Sequence, residues 1–180
     1  DCRRSLGYAL RMRGDLDEAA AVFRQGLDGC VEAGDEVGAA NCQVGLARTW
    51  VHAARYAEAG ALFAEAADTF AAHGMRWEQA STQNDLGDAF RGQGLLVEAE
   101  RCYREARSRL LAIGAAHAVY PVANLGQMLT GQGRWSESRE ILESALSIFD
   151  RQGLPPMQGT LHALLLAPVL AEGWPNWRGP

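Results

Sequence analysis

Residues able to do chemistry are plentiful in this 180-residue chain, but few stand in the spacing that chemistry demands. His52, His73, His117 and His162 are far apart, and none belongs to an HExxH or comparable metal-binding pair. Cys2, Cys30, Cys42 and Cys102 form no CxxC and share no zinc-type spacing with a histidine. They read as small apolar side chains of a protein kept in a reducing compartment, which points to the cytoplasm. No GxSxG elbow raises a nucleophile. Gly92-Gln93-Gly94 and Gly131-Gln132-Gly133 lack the preceding strand that a phosphate loop needs. The sequence therefore predicts no enzyme, no cofactor and no metal. What remains is arginine. All 17 basic residues are Arg and none is Lys, a skew expected from GC-rich coding. Each guanidinium is nevertheless a planar fork that can grip a carboxylate at two points.

The elements that would position these groups follow from composition and pattern. With 48% hydrophobic and 22% charged residues, the chain falls among water-soluble globular proteins and has enough apolar material for a sizeable core. The longest apolar run, Leu161 to Ala171, is about half a bilayer span, and no secretory signal opens the chain, so no membrane role is expected. A net charge of −5 argues against direct nucleic-acid contact, which needs a concentrated positive face. The chain opens on Asp1 within a helical pattern, which leads to the expectation that it is part of something longer.

Four stretches superimpose at offsets of 40, 40 and 39 residues, beginning at Leu6, Leu46, Leu86 and Leu125. In each, an apolar residue is followed one turn later by another: Leu10, Trp50, Phe90 and Leu129. That spacing puts both on one helical face. The residue after the first is small, Gly7, Ala47, Gly87 or Gly126, as close approach of a neighbouring helix requires. A second helix follows in each unit, with Ala19, Ala59, Ala99 or Ser138, then Phe23, Phe63, Tyr103 or Leu142, then Cys30, Phe70, Leu110 or Phe149. Gly14-Asp15, Ala54-Arg55, Gly94-Leu95 and Gly133-Arg134 form the intervening turns, with Asp15 and Glu18 suited to capping the next helix. Gly34, Gly74, Gly114 and Gly153 close the units.

The succession Leu86-Gly87, Phe90, Gly94, Glu98-Ala99, Tyr103 and Ala106 closely resembles the tetratricopeptide repeat family, with a period longer than the usual 34. The resemblance implies an all-α, right-handed superhelical solenoid of antiparallel helix hairpins. Four hairpins would occupy residues 1–152, a C-terminal helix 157–172, and an irregular tail 173–180. Pro121 either kinks the first helix of the fourth unit or marks its start. Leu165, Leu166 and Leu170 continue the first-helix register, whereas Leu161, Leu164 and Val169 give the last helix an apolar outer side. That helix either caps the array or serves as a lid or homodimer surface.

In the family the first helices line a concave surface that receives peptides or partner helices. Carried over column by column, the groove comprises Arg4, Tyr8 and Arg11, then Asn41, Arg48 and His52, then Asn84, Asp88 and Arg91, then Gln127. Four of these are arginines and only Asp88 opposes them, so the resemblance predicts a protein or peptide ligand bearing carboxylates. The Lys–Asn–Arg carboxylate clamp of chaperone-binding members is not reproduced at Arg4/Tyr8, Val44/Arg48 and Asn84/Asp88. The long repeat resembles the sensor arrays of bacterial nucleotide-switched transcriptional regulators. This implies an interaction or sensing module of a larger regulatory protein, the alternative being a free-standing adaptor that assembles a complex.

Overall fold

The computed structural model describes residues 2–114, 118–152 and 155–171. All regular structure among them is helical: α1 Cys2–Arg13, α2 Leu16–Glu32, α3 Glu36–His52, α4 Tyr56–Ala72, α5 Arg76–Gly92, α6 Leu96–Ala112, α7 Val119–Gly131, α8 Trp135–Gln152 and α9 Pro155–Ala171. The chain divides into two compact units, Asp1–Arg109 and Leu110–Pro180, with the boundary near the end of α6. No helix among the described residues is long and apolar enough to cross a membrane.

The helices end where the glycine columns stand. Gly14, Gly94 and Gly133 have φ of 95°, 78° and 73°, and Gly34, Gly74 and Gly114 have 68°, 67° and 66°. In this left-handed conformation a Cβ is costly, which is why glycine recurs. The amide of the residue after the turn then reaches back to a carbonyl five residues earlier, as in Asp15 N–H to Leu10 O at 3.0 Å and Arg134 N–H to Leu129 O at 2.9 Å. Ala54 occupies the same position at φ 57° without the benefit of glycine. Gly153 lies outside the described residues.

Capping departs from expectation. Asp15 accepts no bond from the first turn of α2; its carboxylate is held instead by Arg13 Nε. Asp35 does cap, its carboxylate accepting from Gly38 N–H at 2.8 Å at the start of α3.

In the first unit, successive helices pack antiparallel from α1 to α5, and α1, α3 and α5 also touch one another in that order. The core lies along the second-helix column: Phe23, Phe63 and Tyr103 are fully buried, with Phe70 beside them. Burying each such side chain contributes roughly 1.5–3 kcal/mol. The small-residue column exists for these rings. A Cβ added to Gly7 would stand 2.7 Å from Phe23 Cζ, and one on Gly87 2.6 Å from Tyr103 Cε1. Leu46 and Leu86 are buried as expected, but Leu6 is 51% exposed, since no described helix packs on its side of α1.

In the second unit, α7, α8 and α9 pack against one another. Leu125, Leu129 and Leu142 form its centre, and a Cβ on Gly126 would lie 2.8 Å from Leu142 Cδ2. Pro121 is the third residue of α7 and buried, so it marks the helix start, where a missing N–H costs nothing. The last helix begins at Pro155, two residues before the expected 157, with Pro155 and Pro156 in its first turn and Pro168 inside it. Its expected register is wrong. Leu161 is fully buried, whereas Leu166 and Leu170 are 57% and 60% exposed. A helix apolar on nearly every side gives its sequence no phase to read. The tail 173–180, His117, and the side chain of Phe149 lie outside the described residues.

Candidate functional site

The wall formed by α1, α3 and α5 carries most of the groove residues named above, and it gathers them around two adjacent cavities. The first, of about 220 Å³, is bordered by Arg11 from α1, Arg48 and His52 from α3, and Asp85 and Asp88 from α5, with Phe63 beneath. The second, of about 170 Å³, is bordered by Tyr8, Asn41 and again Arg48, together with Phe70, Trp77 and Glu78. Side chains one turn apart on neighbouring helices converge here because helical spacing puts them on the same face.

Arg48 is the shared wall, and its charge is already matched. Its Nε and Nη2 both approach Asp85 Oδ2, at 2.7 and 2.6 Å. Burial opposes the charge on Arg48, but Asp85 and Tyr8 outweigh it and raise its pKa. Burial pushes the Asp85 carboxyl up as well, with Arg48 and a hydrogen bond from Asn84 pulling against it. Asp88 is held in place by two donors on its Oδ1: the buried Tyr103 hydroxyl at 2.7 Å and Arg91 Nη2 at 3.1 Å.

Arg11 differs. Its Nη1 meets His52 Nε2 at 3.2 Å, and its guanidinium carbon stands 5.5 Å from the Tyr8 ring centre. Its Nε is buried without a hydrogen-bond partner, and among the described residues no carboxylate lies within ion-pair distance of it. Burial, then repulsion from Arg48, lowers its pKa. An arginine fork thus faces a cavity with part of its bonding capacity unspent.

Of the ten residues expected in the groove, Arg11, Arg48, His52 and Asp88 meet at the first cavity, and Tyr8, Asn41 and Arg48 at the second. Arg4 and Arg91 border neither, Asn84 is buried, and Gln127 belongs to the second unit. The expectation that only Asp88 opposes the arginines fails at Asp85, which sits one turn from Ser81 on the same face of α5 and could have been found by that spacing. Trp77 and Glu78 were also missed, being placed at the start of α5 rather than in a repeat column. Of the remaining histidines, His73 packs at the end of α4, its Nδ1 2.9 Å from Thr69 O, and His162 is exposed on α9. Among the described residues no group of three or more His, Cys, Asp or Glu could hold a metal ion. Cys42 and Cys102 are buried, and burial pushes both thiols up to about 11.

Repeated antiparallel hairpins closed by left-handed turns, with an open wall of first helices in the first unit, define an all-α protein of the helix-hairpin repeat class. Family models for the tetratricopeptide repeat match residues 1–25 and 123–149. The crystal structure of the putative kinesin light chain nearly identical TPR-like repeats from Podosopora anserina is similar over 97% of this chain and 87% of its own, with 16% identity and a TM-score of 0.80. BtubC (BKLC) from P. vanneervenii is similar over 93% of this chain and 70% of its own, with 22% identity and a TM-score of 0.80. No curated protein matches the sequence. Two stretches of the chain thus match tetratricopeptide repeats, which in general mediate protein–protein interaction, and its fold is that of TPR-like repeat structures.

Proposed function

We propose that the α1–α3–α5 wall receives a segment of a partner protein and that one carboxylate of that segment docks on Arg11. The observation that carries this reading is the buried, unpartnered Nε of Arg11 at the edge of the 220 Å³ cavity. A charged donor left without a partner costs more than a satisfied one contributes, so a ligand carboxylate gains by completing it. Arg48 adds little attraction, being matched by Asp85, but it narrows the cavity to one side chain. Asp85 and Asp88 repel a second carboxylate, so the ligand presents one acidic group here rather than an acidic run. We place this groove in a cytoplasmic regulatory protein. A full-length reading frame with an upstream phosphate loop and DNA-binding segment supports that setting, and repeats alone support a free-standing adaptor.

The test is a display library of ten-residue peptides selected on the protein, followed by anisotropy titration of the winners against wild type and Arg11→Gln. Enrichment of peptides with one Asp or Glu, and an affinity loss of about tenfold or more in Arg11→Gln at unchanged helicity, is expected. Selection indifferent to acidic residues, or equal affinity for both proteins, overturns the reading.

A further inference from the structure

We propose that the second cavity is a subsite for a cationic side chain, so that the recognised segment carries a basic residue close to its acidic one. This rests on the reading of the α1–α3–α5 wall as a binding groove and specifies what that groove selects. The two cavities share Arg48 as their dividing wall, yet their charge is opposite in sense. In the first, the cation Arg11 lacks a carboxylate. In the second, the carboxylate of Glu78 lacks a cation: among the described residues it makes no ion pair, and Arg48 is committed to Asp85.

The remaining walls suit the same ligand. Tyr8, Phe70 and Trp77 surround the space, and Trp77 remains 41% exposed despite its size. Aromatic faces attract ammonium and guanidinium groups, and the attraction grows as the cation is desolvated. A volume of about 170 Å³ holds one long side chain, whose apolar stem would run along Val44 and Phe70. Neither Trp77 nor Glu78 is demanded by the repeat: one unit earlier the equivalent positions are Val37 and Gly38. Both departures fall on the same cavity.

Glu78 also lies in the first turn of α5, where any carboxylate favours the helix terminus. That role is blind to the ligand, and the two can be separated. The probes are synthetic eight-residue peptides with one Glu and one Arg at varied spacing, each matched by a peptide with norleucine in place of Arg. They are titrated by fluorescence anisotropy against the whole chain. The best-spaced Glu/Arg peptide is expected to bind about tenfold tighter than its norleucine match. Glu78→Gln should remove that advantage and leave the norleucine peptide unchanged, while Arg11→Gln weakens both. Equal affinity of the matched peptides for wild type, or equal weakening of both by Glu78→Gln, overturns the cation subsite. If the norleucine peptide still binds through Arg11, the groove reading survives that result; if no peptide binds wild type, the groove reading falls and this inference falls with it.

Discussion

Replacing two helical glycines by alanine should move stability in opposite directions, and the structure sets the size of the difference. Gly60 in α4 and Gly87 in α5 both sit well inside 17-residue helices, so each substitution gains roughly 1 kcal/mol of helix propensity. A Cβ on Gly60 meets Gln93 Nε2 at 3.6 Å and Leu86 Cδ1 at 3.8 Å, ordinary contacts that add a little burial. Gly60→Ala is therefore expected to stabilise by about 1 kcal/mol. A Cβ on Gly87 would lie 2.6 and 2.8 Å from Tyr103 Cε1 and Cδ1. That ring has nowhere to go, being fully buried and anchored by its hydroxyl to Asp88 at 2.7 Å. Overpacking costs about 1–3 kcal/mol, and straining a hydrogen bond to a charged group costs about 1.5–3 more if it breaks. After the helix gain is subtracted, Gly87→Ala should destabilise by about 2 kcal/mol, so the two variants should differ by about 3. Urea titration followed by circular dichroism, with equal m-values required, measures this directly. Gly87→Ala at or above wild-type stability would refute the argument that the small-residue column exists to admit the rings.

Three further outcomes follow from individual sites. Ala54→Gly should stabilise by about 0.5–1 kcal/mol in the same titration, because relief of left-handed strain at φ 57° outweighs the added freedom of the unfolded chain. Arg48→Met should cost roughly 2–3 kcal/mol at neutral pH, less than for a fully buried pair because Arg48 is about a third exposed. Without Arg48, burial holds the Asp85 pKa further above its unfolded value; stability is then lost as pH rises through the folded pKa, so melts of the variant should recover on acidification. Iodoacetamide at pH 8 should leave Cys42 and Cys102 unmodified in the folded protein, as mass spectrometry of digests would report, because burial holds both thiols near 11 and almost entirely protonated.

Much of the fold was legible because each repeat states its own packing. The Gly columns fix where helices end, and the columns of Phe23, Phe63, Tyr103 and Leu142 against Gly7, Gly87 and Gly126 fix which faces meet. Periodicity gives the face of a helix but not its phase against a neighbour when the helix is apolar all round, and α9 shows the consequence at Leu161, Leu166 and Leu170. The site suffered from the same limit. Arg11 and Arg48 look equivalent in the sequence, each an arginine on an inward face. Arg48 turns out to be matched and Arg11 not, because Asp85 lies within reach of one guanidinium and beyond ion-pair distance of the other. That difference is set by how α5 sits against α3, a relation between helices that no single helix's pattern contains. The columns that copy faithfully from unit to unit are the ones that build the core, where every repeat must solve the same packing problem. The positions that break the copy, Trp77 and Glu78 in place of Val37 and Gly38, escape that constraint, and recognition in a repeat array is free to differ from one unit to the next only at such positions.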